Sequence, residues 1–300
     1  MISDPEKSVS NPLRILFVIN PKSGHGGEKN LKNLITERSE SEKFDFQIIV
    51  MSGDDKERIS NSITQYKPDI VTAAGGDGTI NLLAGILANT EIPLAIIPQG
   101  SANGMAKELH ITSKIDSAFE IIIKRKIQAI DLIKINDRVC IHLADVGLNA
   151  RVVKRFENDA KRGILTYAKY LFREMFLLKK YVFNITYDGK TIKRKGVSMT
   201  FANASQYGTG AVINPKGILD DGKFELVIIK PFPRIKLLSI TWKMFMNKLH
   251  TSDYVEIISC DKALVLSSRK TTLQIDGEVL GKVKKIAIEC MPKALLVIIP

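Results

Sequence analysis

Early in the chain, nearly unbroken apolar runs at residues 13–19, 69–74 and 93–97 each end in a loop of glycine and small polar residues. Strands that are apolar on both faces belong in a parallel sheet covered by helices on each side. Between the runs, residues 28–39, 55–66 and 79–88 carry apolar side chains at helical spacing, with helix-compatible starts. This βαβα order leaves one natural architecture, a doubly wound α/β sheet. A further strand is expected at 46–50.

The texture changes near residue 133. Short alternating runs take over at 132–135, 139–143, 182–187, 195–202, 224–230, 255–259, 263–267, 271–275 and 285–289. Asn136-Asp137, Asp188-Gly189, Asp221-Gly222 and Asp276-Gly277 separate many of them, which is the pattern of antiparallel strands. Helical stretches interrupt at 164–179 and 233–248, and the run 294–299, after Pro292, is expected to return to the first domain. The expected layout is a disordered arm over 1–10, an α/β domain over 11–131 completed by 292–300, and a C-terminal antiparallel β-sandwich over 132–291.

Three loops follow strands and precede helices: Asn20-Pro21-Lys22-Ser23-Gly24-His25-Gly26-Gly27, Gly75-Gly76-Asp77-Gly78-Thr79-Ile80-Asn81, and Pro98-Gln99-Gly100-Ser101-Ala102-Asn103-Gly104. In an open parallel sheet the carboxyl ends of the strands line one crevice, where such loops converge. Glycines let backbone N–H groups approach a phosphate, and Thr79 and Ser101 are placed to cap the helices that follow. The spacing matches neither a Walker loop nor a dinucleotide fingerprint. Asp77, an acid inside a phosphate cradle, makes chemical sense with Mg²⁺ between the two.

Charge enters when partners are considered. Lys and Arg number 44 against 32 Asp and Glu, a net +12, which favours an anionic partner. Nothing reads as an RNP-like, helix-turn-helix or zinc element, so nucleic acid is not expected. Cys140, Cys260 and Cys290 each sit in an apolar run and read as reduced core residues of a cytoplasmic protein. No window reaches the ~20 apolar residues of a membrane span. Residues 161–173 mix aromatics with cations, a candidate for docking on a lipid surface as well as for packing on the β domain.

These loops resemble the diacylglycerol-kinase catalytic-domain family, in its bacterial lipid-kinase and sphingosine-kinase-like branches, and the resemblance spans nearly the whole chain. Gly75-Gly76-Asp77-Gly78-Thr79-Ile80-Asn81 is similar to the Gly-Gly-Asp-Gly-Thr core that the family shares with NAD kinases. Asn20-Pro21-Lys22-Ser23-Gly24 resembles its first nucleotide loop, and Gly100-Ser101-Ala102-Asn103-Gly104 its third. The resemblance implies nucleotide contacts from all of these and from Ser52. Leu219-Asp220-Asp221-Gly222 resembles a segment that holds a structural Mg²⁺, with the Asp221 carboxylate joined by the carbonyls of Ile218 and Lys223. Ile275-Asp276-Gly277-Glu278 resembles the Asp-Gly-Glu motif, implying Asp276 as general base and Glu278 as its helper, although an Asp-Gly pair is also a favoured hairpin turn. Four positions depart from the family pattern: His25 stands for a Lys, and Leu82, Gly104 and Asn149 stand where acids are common.

The resulting expectation is a kinase, peripheral at the inner membrane surface, that moves the γ-phosphate of Mg·ATP onto a lipid hydroxyl. Family members pair, so a homodimer is implied. A NAD-kinase-like soluble phosphotransferase and a catalytically impaired nucleotide- or lipid-binding regulator stay open as alternatives. The residues do not specify the acceptor.

Overall fold

A computed structural model describes residues 12–23, 28–147, 179–208 and 210–300. Strands β1 (Leu13–Ile19), β2 (Phe44–Val50), β3 (Ile70–Gly75) and β4 (Leu94–Pro98) form a parallel sheet in the order β4-β3-β1-β2. Helices α1 (Glu28–Glu42) and α5 (Ile115–Lys124) cover one face, where Leu31, Ile35, Phe119 and Ile122 pack on Phe17, Ile15 and Ile97. Helices α2 (Lys56–Tyr66), α3 (Asp77–Leu87) and the short α4 (Gly104–Glu108) cover the other through Ile59, Ile80, Leu83 and Met105. The sheet is therefore doubly wound, as its fully apolar strands require. The order also places β1 between β2 and β3, so the chain departs in opposite directions after β1 and β3, the arrangement that opens a crevice at their carboxyl ends.

The second core lies among antiparallel strands: β5 (Lys126–Ile135), β6 (Arg138–Cys140), β7 (Leu143–Gly147), β8 (Tyr181–Tyr187), β9 (Lys190–Gly196), β10 (Ser198–Ala202), β11 (Phe224–Ile229), β12 (Val255–Cys260), β13 (Lys262–Ile275) and β14 (Glu278–Ile299). Phe183, Phe201, Phe224 and Val265 fill its centre. Helix α6 (Leu237–Phe245) lies outside it, with Ile240 packed against Leu143, Val227 and Leu249. All three cysteines are buried and free.

Two pairs of expected strands are single strands. Residues 263–267 and 271–275 belong to one β13, which shifts register between Leu266 and Thr271 and pairs with β8 before the shift and β7 after it. A strand that changes neighbours at a bulge turns the corner of a sandwich. Likewise β14 runs through Pro292, where a proline without an N–H reads as a break. A register shift between Met291 and Leu295 absorbs it. Past that shift β14 pairs with β5 and, through Val297 and Leu94, with parallel β4, so the last strand does return to the first sheet. β5 and β14 join both halves in one 14-stranded hydrogen-bonded network.

Candidate active site

The three loops meet at the carboxyl ends of β1, β3 and β4. Asn20 donates its backbone N–H to the Ala74 carbonyl at 2.9 Å, and its Nδ2 to Thr79 Oγ1 at 3.3 Å. Its Oδ1 accepts the N–H of Lys22 at 3.0 Å, while Pro21 and Lys22 face solvent. Gly24 and His25 lie outside the described residues. The second and third loops touch through bare backbone. Gln99 N–H donates to the Gly75 carbonyl at 2.8 Å, and a Cβ on Gly100 would lie 2.6 Å from Gly76 Cα. Gly100 therefore needs glycine whatever ligand it faces, and a Cβ on Gly76, 3.1 Å from Gly100 Cα, would be tight.

The expected helix caps are not formed. Thr79 sits inside α3, buried, its hydroxyl taken by Asn20; the residue before the helix is Gly76, so the first N–H groups of α3 have no side-chain cap. Ser101 is exposed, and α4 begins only after Asn103, whose side chain closes the third loop on itself. Asn103 Oδ1 accepts from Gly100 N–H, and its Nδ2 donates to the Gly100 carbonyl, each at 2.8 Å. Asp77 Oδ1 accepts the Met105 N–H at 3.2 Å, tying the second loop to α4. Gly78 has open space around it, and Asn81 Oδ1 is buried with no partner. Leu82 packs against the core. Ser52 follows β2 at the same sheet edge, where Met51 N–H donates to the Ile19 carbonyl at 2.8 Å, and its own N–H and hydroxyl are directed to Asp55.

Across the crevice, Asp276 and Gly277 form the two-residue turn joining β13 to β14. Both have positive φ, +46° and +88°, as this hairpin type requires. The turn and the candidate site are thus the same object. The Asp276 carboxylate points inward. Oδ1 accepts the N–H groups of His142 and Leu143, each at 3.0 Å, and the Cys140 thiol at 3.4 Å; Oδ2 accepts Ile141 N–H at 2.9 Å. Burial pushes this carboxyl above the ordinary range, against the opposing pull of His142 and the backbone donors. Beneath the turn, Gln274 Oε1 accepts Gly277 N–H at 2.8 Å, and its Nε2 donates to buried Asp145 at 2.5 Å. Glu278 is exposed.

One residue that the sequence reading missed bridges the two walls. While its backbone holds Asp276, the buried ring of His142 reaches the first wall: a Cβ on Gly104 would lie 2.6 Å from His142 Cε1. The small residue at 104, one of the departures from the family pattern noted above, is matched by this imidazole. His142 Nε2 is buried without a partner, beside that glycine. A lone polar residue in the apolar run 139–143 was the available signal. The walls are also joined where Ser205 donates N–H and Oγ to the Glu108 carboxylate at 3.0 and 2.8 Å, and where Lys107 Nζ donates to the Gly208 carbonyl at 2.5 Å.

The candidate metal loop lies elsewhere. Asp221 is exposed and accepts Lys223 N–H at 3.0 Å, and Ile218 is exposed. What holds this loop is Asp131, an acid buried in β5 that the sequence reading also missed. Its carboxylate accepts Gly222 N–H at 2.6 Å and Lys293 N–H at 2.7 Å, and its own N–H donates to the Leu219 carbonyl at 2.6 Å. Among the described residues no group of three or more His, Cys, Asp or Glu side chains gathers to hold a metal. A site of one carboxylate and two backbone carbonyls needs no such group, and its hard oxygen donors suit Mg²⁺. For the nucleotide, the close-packed glycines and the uncapped start of α3 fit a polyphosphate.

Loops of one domain thus face an inward-pointing carboxylate of the other, the layout of a two-domain transferase. The diacylglycerol kinase catalytic domain matches residues 14–135, and the YegS C-terminal NAD kinase beta sandwich-like domain matches 143–299. A Staphylococcus aureus diacylglycerol kinase is 30% identical over 219 residues, covering 71% of this chain and 69% of that protein. A Pectobacterium atrosepticum protein named "Probable lipid kinase YegS-like" is 29% identical over 299 residues, 95% of each chain. The crystal structure of a diacylglycerol kinase from Bacillus anthracis superposes with a TM-score of 0.74 at 19% identity, covering 97% of this chain and 98% of that one. The chain belongs to the diacylglycerol kinase catalytic-domain family and is an enzyme of the lipid-kinase class.

Proposed function

We propose that the enzyme transfers the γ-phosphate of ATP to the hydroxyl of a lipid of diacylglycerol-like or sphingoid type. The observation that carries this reading is His142, whose backbone holds Asp276 while its ring rests on Gly104, so that one residue separates the glycine loops from the Asp276 carboxylate. Positioning and charge neutralisation dominate phosphoryl transfer. The N–H groups at Gly76 and the start of α3 hold the phosphates, and Asn20 and Asn103 shape the loops that present them. Mg²⁺, when bound, neutralises phosphate charge; Asp77 would hold it at the nucleotide, and Asp221 with the Ile218 and Lys223 carbonyls would hold a structural ion. Asp276 accepts the hydroxyl proton. Among the described residues Oδ1 already takes three donors and Oδ2 one, so Oδ2 is the oxygen with a lone pair to offer. Glu278, two residues on, helps orient the acceptor.

Labelled ATP incubated with diacylglycerol, monoacylglycerol, a sphingoid base, ceramide and an isoprenoid alcohol in mixed micelles, with NAD as a soluble control, tests the reading. Label in a lipid is the expected result. Label in NADP with none in lipid would replace it with a soluble phosphotransferase.

A further inference from the structure

Helix α6 is apolar on both sides. Its inner side packs Ile240 and Met244 against Leu143, Val227 and Leu249. Its outer side, with the turn before it and the residue after it, presents Ile235, Leu238, Trp242, Phe245 and Met246 at 83, 77, 66, 49 and 47% exposure. Only three other large hydrophobics, Ile127, Ile218 and Leu266, are comparably exposed among the described residues. The spacing of 235, 238, 242 and 245 makes a single stripe along the helix. Scattered surface hydrophobics need no explanation, but a continuous stripe marks a surface that something covers.

Charge selects the occupant. Residues 230–250 contain five Lys and Arg and no Asp or Glu. Lys236 and Lys248 are exposed beside the stripe, while Lys243 Nζ donates to the Thr251 carbonyl at 2.9 Å. The stripe also begins next to a groove of about 420 Å³ lined by Lys193, Arg194, Lys195, Lys230 and Pro231. Glu256 is the acid beside it, accepting Arg194 Nε at 2.7 Å and standing 3.7 Å from Lys230 Nζ; Lys193 and Lys195 remain exposed. A second copy docked on this face by a two-fold axis would set like charges against each other. An apolar stripe with a Trp and a cationic rim instead complements an anionic bilayer surface, where apolar side chains enter the acyl boundary and Lys and Arg meet headgroups.

We propose that the outer face of α6 and the cationic groove beside it dock the enzyme on an anionic lipid surface. The choice of occupant rests on the lipid-acceptor reading above. The face also lies close to the crevice. The Met244 carbonyl of α6 accepts Val212 N–H at 3.1 Å, and Tyr207 N–H donates to the Ala211 carbonyl at 2.9 Å. In the same loop a Cβ on Gly208 would lie 2.6 Å from Ala102 Cβ in the third nucleotide loop. One loop therefore separates the docking stripe from the site. Residues 161–173, the surface expected from the sequence, lie outside the described residues.

Trp242 is the only tryptophan, so its fluorescence reports on the stripe in the unmodified full chain. With vesicles of phosphatidylglycerol and phosphatidylcholine, emission is expected to move to shorter wavelength, to be quenched by acyl-brominated lipid, and to revert as salt rises. Leu238→Ser combined with Phe245→Ser keeps the reporter, changes only exposed side chains, and is expected to weaken partitioning about 100-fold. Sedimentation with vesicles while Trp242 stays unshifted would overturn the proposal in favour of another face. A lipid-free shift that follows protein concentration, with a dimer in ultracentrifugation, would overturn it in favour of a second copy. No binding at all would also overturn it. A short-chain acceptor dissolved below its micelle concentration separates the two readings: the double variant should phosphorylate it at the wild-type rate while losing activity on vesicles. If Trp242 inserts but no lipid is phosphorylated, docking stands and the acceptor reading falls.

Discussion

On the N-terminal wall of the crevice, Gly76 and Gly100 approach so closely that backbone meets backbone, and Asn20, Thr79, Asp77 and Asn103 lend side chains to the joints. On the C-terminal wall, and away from the crevice at the 218–223 loop, the same task falls to carboxylates. Asp276 gathers the N–H groups of Ile141, His142 and Leu143, and Asp131 gathers those of Gly222 and Lys293. The first wall is specified by what is missing, a Cβ, and the second by a charge without which several donors would be orphaned. A wall of the first kind tolerates loss of a charge and fails on added volume; the second behaves in the opposite way.

The comparison breaks most visibly at Asp131. Asp131→Ala leaves two N–H groups unpaired, at about 1–3 kcal/mol each. A fall in the urea midpoint and release of the 218–223 loop, read by hydrogen exchange at Gly222, are expected. Next comes Gly100→Ala, where the new Cβ meets Gly76 Cα; about 1–3 kcal/mol of stability and most of the nucleotide affinity should be lost. Gly78→Ala, with open space inside α3, should instead match or exceed wild-type stability by up to about 1 kcal/mol. Smaller again is the seam between the walls. Gly104→Ala should destabilise wild type more than a His142→Ala background, where the Gly208 backbone at 3.3 Å still crowds the new Cβ, giving a coupling of about 0.5–3 kcal/mol in a double-mutant cycle.

The smallest effect is a pH dependence. Burial holds the Glu225 carboxyl above its ordinary range, against the hydrogen bonds that Asn214 and Ser259 donate to it. A carboxyl raised in the fold binds its proton more tightly there than in the unfolded chain. Its destabilising contribution is therefore absent below the unfolded value of about 4.3 and grows as pH rises through the folded one. Glu225→Gln should flatten that part of the stability profile, measured by denaturation at stepped pH.

Much of this was legible in the sequence, and unevenly so. β1 begins and ends where its apolar run does, and the three loops announce themselves because a glycine is visible at any distance from its partner. The Asp188-Gly189 and Asp276-Gly277 turns follow from residues that accept positive φ. Polar residues between 267 and 271, and Pro292, suggested breaks in β13 and β14, but a bulge lets a strand continue past residues that a regular ladder rejects. Asp131, one of several polar residues in β5, and His142, between β6 and β7, were missed because the role of each depends on a partner far along the chain. The expected caps at Thr79 and Ser101 failed because each helix begins at a position other than the one the capping pattern marked. The outer face of α6 was read only as a helix, since spacing reveals an apolar stripe and not which of two stripes is covered.

No helix among the described residues is long and apolar enough to cross a membrane. Under the proposed reading, Asp276 takes the proton of the acceptor hydroxyl. Asp276→Asn tests that most directly, with single-turnover rate and ATP affinity measured on the same preparation and folding checked by its urea transition. The account predicts a rate lower by about 10²–10⁴-fold with ATP binding nearly unchanged. Wild-type turnover in the D276N enzyme would contradict it.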